Sequence, residues 1–134
     1  IGERLIADHR LPLISATGST RMGIRIGEVV GKRLGRTILE LGGNNALVIS
    51  DKADITGALA SAFFGAVGTA GQRCTTTRRV FAHEKIFDAL AHRLVHAYEQ
   101  VRIGDPMDPG TLMGPLIDSS SVIRFESALE KALS

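Results

Sequence analysis

Short apolar runs alternate with segments of helical period along this chain, and most changes of period fall at a glycine, a proline or a capping residue. Leu11 to Ser15 is an apolar run opened by Pro12 and followed by Thr17 and Gly18, which reads as a buried strand entering a tight turn. From Thr20 to Leu34 the residues Met22, Ile26, Val29, Val30 and Leu34 recur at helical spacing. Thr20 is placed to cap the start and Gly35 to supply a left-handed stop. Thr37 to Leu41 and Ala46 to Ser50 read as strands on either side of Gly42 and Gly43. Asp54 can cap a helix through Leu59, Phe63 and Val67 that ends at Gly68 to Gly71, and its alanines and glycines predict burial on most sides. Thr75 to His83 holds the strand candidate Arg79 to Ala82, and Ile86, Phe87, Leu90, Leu94, Tyr98 and Val101 then mark one face of a helix. Three prolines and three glycines between Gly104 and Pro115 exclude regular structure, and Ser119 to Leu133 returns to a helical pattern.

Strands alternating with helices predict βαβ units: an α/β fold with a mainly parallel sheet and helices on its faces. The sharpest change of composition is Gly42-Gly43-Asn44-Asn45, which marks a boundary. With 44% hydrophobic and 22% charged residues among 134, the chain is an ordinary globular one of about one domain's length, and wholesale disorder is excluded. A net charge of +2, scattered basic residues and few aromatics argue against nucleic-acid binding. Ile55 to Gly68 is shorter than the roughly 20 apolar residues of a membrane span, and Thr56 and Ser61 interrupt it. A single cysteine, Cys74, makes neither an internal disulfide nor a cysteine-cluster zinc site, which points to a reducing, cytoplasmic setting. The start at Ile1, without methionine, reads as that of an excised piece.

Four places carry residues suited to chemistry. Gly18-Ser19-Thr20-Arg21-Met22-Gly23 lies between a predicted strand and a predicted helix, where helix N-terminal amides and the Ser19 and Thr20 hydroxyls suit a pyrophosphate. It lacks the dinucleotide glycine spacing, so a plain capped turn stays open beside ligand binding. Gly23, Gly27 and Gly31 then form one stripe, each costing roughly 1 kcal/mol against alanine, which predicts close helix-to-sheet packing. Glu40 sits among apolar neighbours before two glycines; desolvation there would suit it to general-base work, while a solvent-facing strand position is the competing reading. Cys74 follows Gly71-Gln72-Arg73. A lone cysteine is ordinarily an inert core residue, but this polar, glycine-flanked setting argues against full burial, and Arg73, Arg78 and Arg79 offer positive charge. His92 and His96, four apart on a helix, lack the zinc-protease glutamate and read as a solvated face; no metal site is expected. Asn44 and Asn45 read as turn formers.

Taken in order and spacing, Ala16 to Gly23, Glu40-Leu41-Gly42-Gly43-Asn44 and Gly71-Gln72-Arg73-Cys74 resemble the signatures of the NAD(P)-dependent aldehyde dehydrogenase superfamily. The longer strings Ile38 to Ala46 and Ala66 to Arg79 look most like its antiquitin branch, the aminoadipate-semialdehyde dehydrogenases. The resemblance implies that Cys74 is the nucleophile and that its backbone N–H is one oxyanion donor. It implies that Glu40 is the general base for the hydrolytic water or the thiol. Gly18, Ser19, Thr20 and Gly23 match the cofactor loop, with Ser19 at the pyrophosphate, and Leu41 matches the residue whose backbone lies near the nicotinamide. Arg73 is assigned to a substrate carboxylate, with Thr75 beside it also facing substrate, and a structural ion pair for Arg73 is the competing reading.

The implied cofactor is NAD, with NADP left open, the implied partners are a small aldehyde and further copies in a dimer or tetramer, and the implied activity is aldehyde oxidation in lysine breakdown. Family members are several times longer, and nothing in this chain matches their upstream oxyanion asparagine, their upstream ribose lysine or their downstream ribose glutamate. The expected division is therefore residues 1–41 as the end of a cofactor domain and residues 42–134 as the start of a catalytic domain. Two rival readings are an acyl transfer from Cys74 to coenzyme A, which Glu40 disfavours, and a truncated segment without activity of its own.

Overall fold

The computed structural model describes residues 1–134, which form two compact units, Ile1–Gly43 and Asn44–Ser134. The first runs α1 (Gly2–Ala7), β1 (Leu13–Thr17), α2 (Thr20–Lys32) and β2 (Arg36–Glu40). β1 and β2 pair in parallel, from Leu13 opposite Arg36 to Thr17 opposite Glu40, with α2 as the crossover. Ile6, Ile26 and Val30 are its buried core, and Ile14, Ala16, Met22, Val29 and Leu39 pack around them. α1, which the apolar spacing does not announce, is fastened by a bidentate pair from Arg25 to Glu3 and by Arg33, which donates to the Ile6 and Leu11 carbonyls at 2.9 and 2.7 Å.

The second unit runs β3 (Asn45–Ile49), α3 (Ile55–Val67), a 3-10 turn (Gly68–Gly71), β4 (Thr77–Ala82), α4 (Glu84–Glu99) and α5 (Ser119–Leu133). β3 and β4 are again parallel, and a bulge opposite the Asn45/Ala46 step leaves Arg78 between the partners Thr77 and Arg79. Ile49, Ile86 and Leu90 form the core, with Leu47, Ala58, Leu59, Ala82 and Leu94 against them. The Phe63 and Tyr98 rings meet at 5.8 Å between α3 and α4. Both units are thus βαβ arrangements with parallel pairing, the α/β architecture that the alternation of period predicts. No helix is long and apolar enough to cross a membrane.

Several local expectations are corrected. The cap of α2 is Ser19 and not Thr20: Ser19 is extended, its hydroxyl accepts from the Met22 amide at 3.2 Å, and its carbonyl starts the helix. The left-handed residue after α2 is Leu34, at φ 60°, and not Gly35. Gly35 is small for another reason, since a Cβ there would meet the Val30 and Arg33 side chains at 2.7 and 2.8 Å. The glycine stripe does not face the sheet throughout. Gly23 does pack closely, but nothing in this chain lies within 4 Å of a Cβ at Gly27 or Gly31. α3 is not buried on most sides: Ala62 and Val67 are buried, whereas Phe64 is 66% exposed, because α4, β4 and the 3-10 turn cover only part of this largely apolar helix. On α4 the buried residues are Ile86 and Leu90, and Phe87 is turned outward.

Candidate active site

The sequence-predicted residues gather into two clusters, one in each unit. In the first, the parallel ladder continues one step beyond β1: the Gly18 amide donates to the Glu40 carbonyl at 3.0 Å, which ties the start of the β1–α2 loop to the end of β2. Leu41, half-buried, lies on Gly23, where a Cβ would stand 2.5 and 2.6 Å from its two methyl carbons. Gly18 is likewise covered, by the Met22 side chain. Both glycines are thus small where side chains of the same unit lie against them. The donors a phosphate needs are nonetheless in place. Ser19 caps the 13-residue α2, and the first-turn amides of Thr20 and Arg21 have no intrahelical acceptor. Glu40 closes β2 and is exposed, so the burial expected from its apolar neighbours is not found: Ile38, on the same face, is itself exposed, and the partly buried Leu39 faces the other way.

In the second cluster Cys74 is exposed on the loop that joins the 3-10 turn to β4. That loop has little regular backbone pairing and is held by side chains. The Gln72 amide donates to the Thr69 and Pro115 carbonyls at 3.2 and 3.5 Å, and its oxygen accepts from the Ile117 amide at 2.9 Å. Thr76, 5% exposed, accepts at its hydroxyl from the Arg73 amide at 3.1 Å while its own amide donates to the Arg73 carbonyl at 3.2 Å. The Arg73 guanidinium lies 4.8 Å over the Phe64 ring and donates to the Phe64 carbonyl at 3.3 Å. A Cβ at position 68 would meet that guanidinium, so a larger residue there would displace it. The Arg73 Nε is buried and has no partner. Thr75 is exposed beside the cysteine.

The backbone before Cys74 is unusual. Thr69, Ala70 and Gly71 take three successive left-handed conformations, at φ 57°, 52° and 69°. After this turn the Cys74 amide N–H donates to no acceptor in the chain. An exposed thiol beside a free N–H is the pair of groups needed to add to a carbonyl carbon and to receive the oxygen charge that results.

Sequence reasoning misses the residues that hold this loop: Asn45, Gln72 and Thr76. Asn45 reads as a turn former in the sequence, yet its amide donates to the Cys74 and Thr76 carbonyls at 2.6 and 3.1 Å. Nothing in the spacing of residues 29 apart announces such a contact. The His92 and His96 side chains are both exposed, His96 lies 3.5 Å from Glu99, and no three potential metal ligands converge.

Three comparisons bear on this arrangement. A family model described as "Aldehyde dehydrogenase family" matches residues 1–134. Among curated proteins, the chain is 49% identical over 130 residues to aldehyde dehydrogenase family 7 member A1 of Brassica napus, covering 97% of this chain and 26% of that protein. It is 48% identical over 132 residues to alpha-aminoadipic semialdehyde dehydrogenase of Rattus norvegicus, covering 98% of this chain and 24% of that protein. Among solved structures, betaine aldehyde dehydrogenase from Staphylococcus aureus in complex with NAD+ superposes with a TM-score of 0.93 at 28% identity, over 97% of this chain and 26% of that one. The chain thus spans about a quarter of the length of the relatives it matches.

Proposed function

The chain belongs to the aldehyde dehydrogenase family, and from that premise we propose that the complete protein oxidises an aldehyde to its carboxylic acid with NAD. The observation that carries the proposal is Cys74: an exposed thiol on a side-chain-braced loop, with its own amide N–H free. The thiolate adds to the aldehyde carbon, and the Cys74 N–H stabilises the oxyanion of the thiohemiacetal. NAD, when bound, accepts the hydride that leaves this carbon, and a thioester on Cys74 remains. Glu40 takes a proton from the water that hydrolyses the thioester, releasing the acid and restoring the thiol. The balance is one aldehyde, one NAD+ and one water consumed for one acid, one NADH and one proton. Ser19, Thr20 and the α2 amides would hold the pyrophosphate, and Leu41 would line the nicotinamide end.

In this reading residues 1–41 belong to the cofactor domain and residues 42–134 to the catalytic domain. NAD rather than NADP is supported by the ligand of the solved relative, which is betaine aldehyde dehydrogenase with NAD+. Aminoadipate semialdehyde is the substrate favoured by the rat relative's name and by the presence of Arg73 next to Cys74, since a guanidinium is a group that can take a carboxylate at the far end of the aldehyde. A homo-oligomer and a cytoplasmic setting complete the reading, the latter supported by the single, unbridged cysteine. Replacement Cys74→Ala in the complete protein tests it: NADH production falls to background while NAD binding, followed by fluorescence, persists. Continued turnover by the alanine variant would overturn the assignment.

A further inference from the structure

We propose that Asn45 is a positioning residue for the nucleophile, its carboxamide setting the direction in which the Cys74 amide and thiol face. The inference rests on the reading of Cys74 as nucleophile. A primary amide has two N–H donors, and in Asn45 the one Nδ2 atom serves two backbone carbonyls, of Cys74 at 2.6 Å and of Thr76 at 3.1 Å. The contact exists because of where the β3–β4 ladder stops. Its last rung pairs Asn45 with Thr77, so the carbonyls of the residues just before β4 lie past the end of the backbone pairing. The side chain of Asn45 extends the ladder over them. Asn45 is itself fixed by the bulge at Arg78 and by Arg79, which donates to the Asn44 carbonyl at 2.8 Å.

Peptide planarity converts this grip into orientation. In a trans peptide the C=O and N–H point in opposite directions, so fixing the Cys74 carbonyl on Asn45 also fixes the Thr75 N–H away from it. The plane after Thr76 is fixed in the same way. From the other side, the reciprocal bonds between Arg73 and Thr76, at 3.1 and 3.2 Å, close the turn. Cys74 therefore sits between two anchored peptides, and its own N–H is left free. The orientation of the Asn45 amide is forced, because the reverse placement would set its oxygen against two carbonyl oxygens.

The decisive variants change the donor while keeping the shape. Asn45→Asp is isosteric but presents carboxylate oxygens to the two carbonyls, and protonation at low pH returns one O–H donor. In the complete protein, Asn45→Asp and Asn45→Ala should lower kcat by about 10- to 100-fold, the scale of a misplaced reacting group. KM for the aldehyde and for NAD should stay within about threefold, since neither molecule touches Asn45 in this account. The deficit of the Asn45→Asp variant relative to wild type at the same pH should shrink between about pH 7 and pH 5, as its carboxylate begins to protonate; the alanine variant should show no such recovery. Asn45→Ser, which keeps one donor, should fall between wild type and alanine and decides the matter if the aspartate variant does not fold.

Amide hydrogen exchange across residues 72–78 supplies a readout independent of turnover, and it should quicken in Asn45→Ala. A wild-type protein without aldehyde oxidation would refute the proposed function, and the exchange result would still decide whether Asn45 holds the loop. The positioning role is overturned if folded Asn45→Ala keeps kcat within about threefold of wild type, if folded Asn45→Ser is no more active than Asn45→Ala, or if exchange across residues 72–78 is unchanged.

Discussion

Replacing Gly23 by alanine sets two effects of known sign against each other. A Cβ at position 23 would stand 2.5 and 2.6 Å from the two methyl carbons of Leu41, against an ordinary carbon contact of about 3.5–4.0 Å. Leu41 must therefore retreat by about 1 Å or more, and overpacking of that kind costs about 1–3 kcal/mol. Alanine in place of glycine inside a helix contributes about 1 kcal/mol in the other direction. The net is a loss of about 0–2 kcal/mol, too small to interpret alone, so the informative quantity is the coupling with Leu41→Ala. Removing the leucine side chain abolishes the overlap, and the double variant should be more stable than the sum of the single effects by about 1–3 kcal/mol. Urea unfolding of the four proteins measures it. Additivity within about 0.5 kcal/mol would refute the claim that Gly23 is small because Leu41 occupies its space. Because Leu41 follows Glu40 directly, Gly23→Ala should also slow turnover, and the double variant should not recover it fully.

Three further expectations concern the frame around the site. Leu34 is 94% exposed and left-handed, so its side chain gains nothing there while its backbone is strained; Leu34→Gly should stabilise the protein by about 0.5–1 kcal/mol in urea unfolding, and a loss would contradict the assigned conformation. Asp54 accepts from the Thr56 and Gly57 amides, both at 3.1 Å, and Asp54→Ala should lower stability by about 1 kcal/mol, whereas Asp54→Asn should lower it less. The Asp118 carboxyl is held below the usual aspartate range by hydrogen bonds from Ser120 and Ser121 at the start of α5. A depressed pKa in the folded state means that its contribution is complete above the unfolded value and is lost as pH falls through the folded one. An NMR titration of Asp118 should thus show a midpoint below that of a free aspartate, and a midpoint at or above it would remove the basis for this capping role.

The elements were legible because their signals are local. Asp54 and the Gly68–Gly71 stop bound α3 as the sequence predicts, and the β-branched runs are the four strands to within two residues at each end. The differences share a cause, which is the choice between neighbours that are chemically alike. Ser19 and Thr20 can both cap, and only the path of the chain out of β1 decides for Ser19. Gly35 is the better left-handed residue, yet Leu34 takes that conformation because Gly35 is needed beside Val30 and Arg33. Composition overstates the burial of α3 because it describes what a helix could bury and not what lies against it. At the site, Cys74 and Glu40 stand out as reactive types in glycine-rich settings, but the residues that hold the Cys74 loop act on backbone amides and carbonyls, and these leave no mark in a sequence.

The role proposed for Cys74 accounts for a loop built in this way. A cysteine inside a helix or a paired strand would have its amide engaged in the regular hydrogen bonding of the element, and no N–H would remain to meet an oxyanion. Leaving regular structure frees the amide but loses the pairing that holds the backbone still, and each residue left mobile adds disorder to the reacting geometry. Here the missing pairing is replaced by side chains. Gln72 ties the turn to Pro115 and Ile117, Arg73 lies on Phe64, Thr76 closes on Arg73, and Asn45 reaches the carbonyls on either side of Thr75. The same bracing accounts for the left-handed Thr69 and Ala70, whose conformations cost about 1–2 kcal/mol each for residues with a Cβ. Gln72 stabilises that turn through both its backbone and side-chain bonds to the Thr69 carbonyl, at 3.1 and 3.2 Å. The strain turns the chain so that Cys74 emerges at the surface, and the polar side chains around it keep it there with its N–H unengaged.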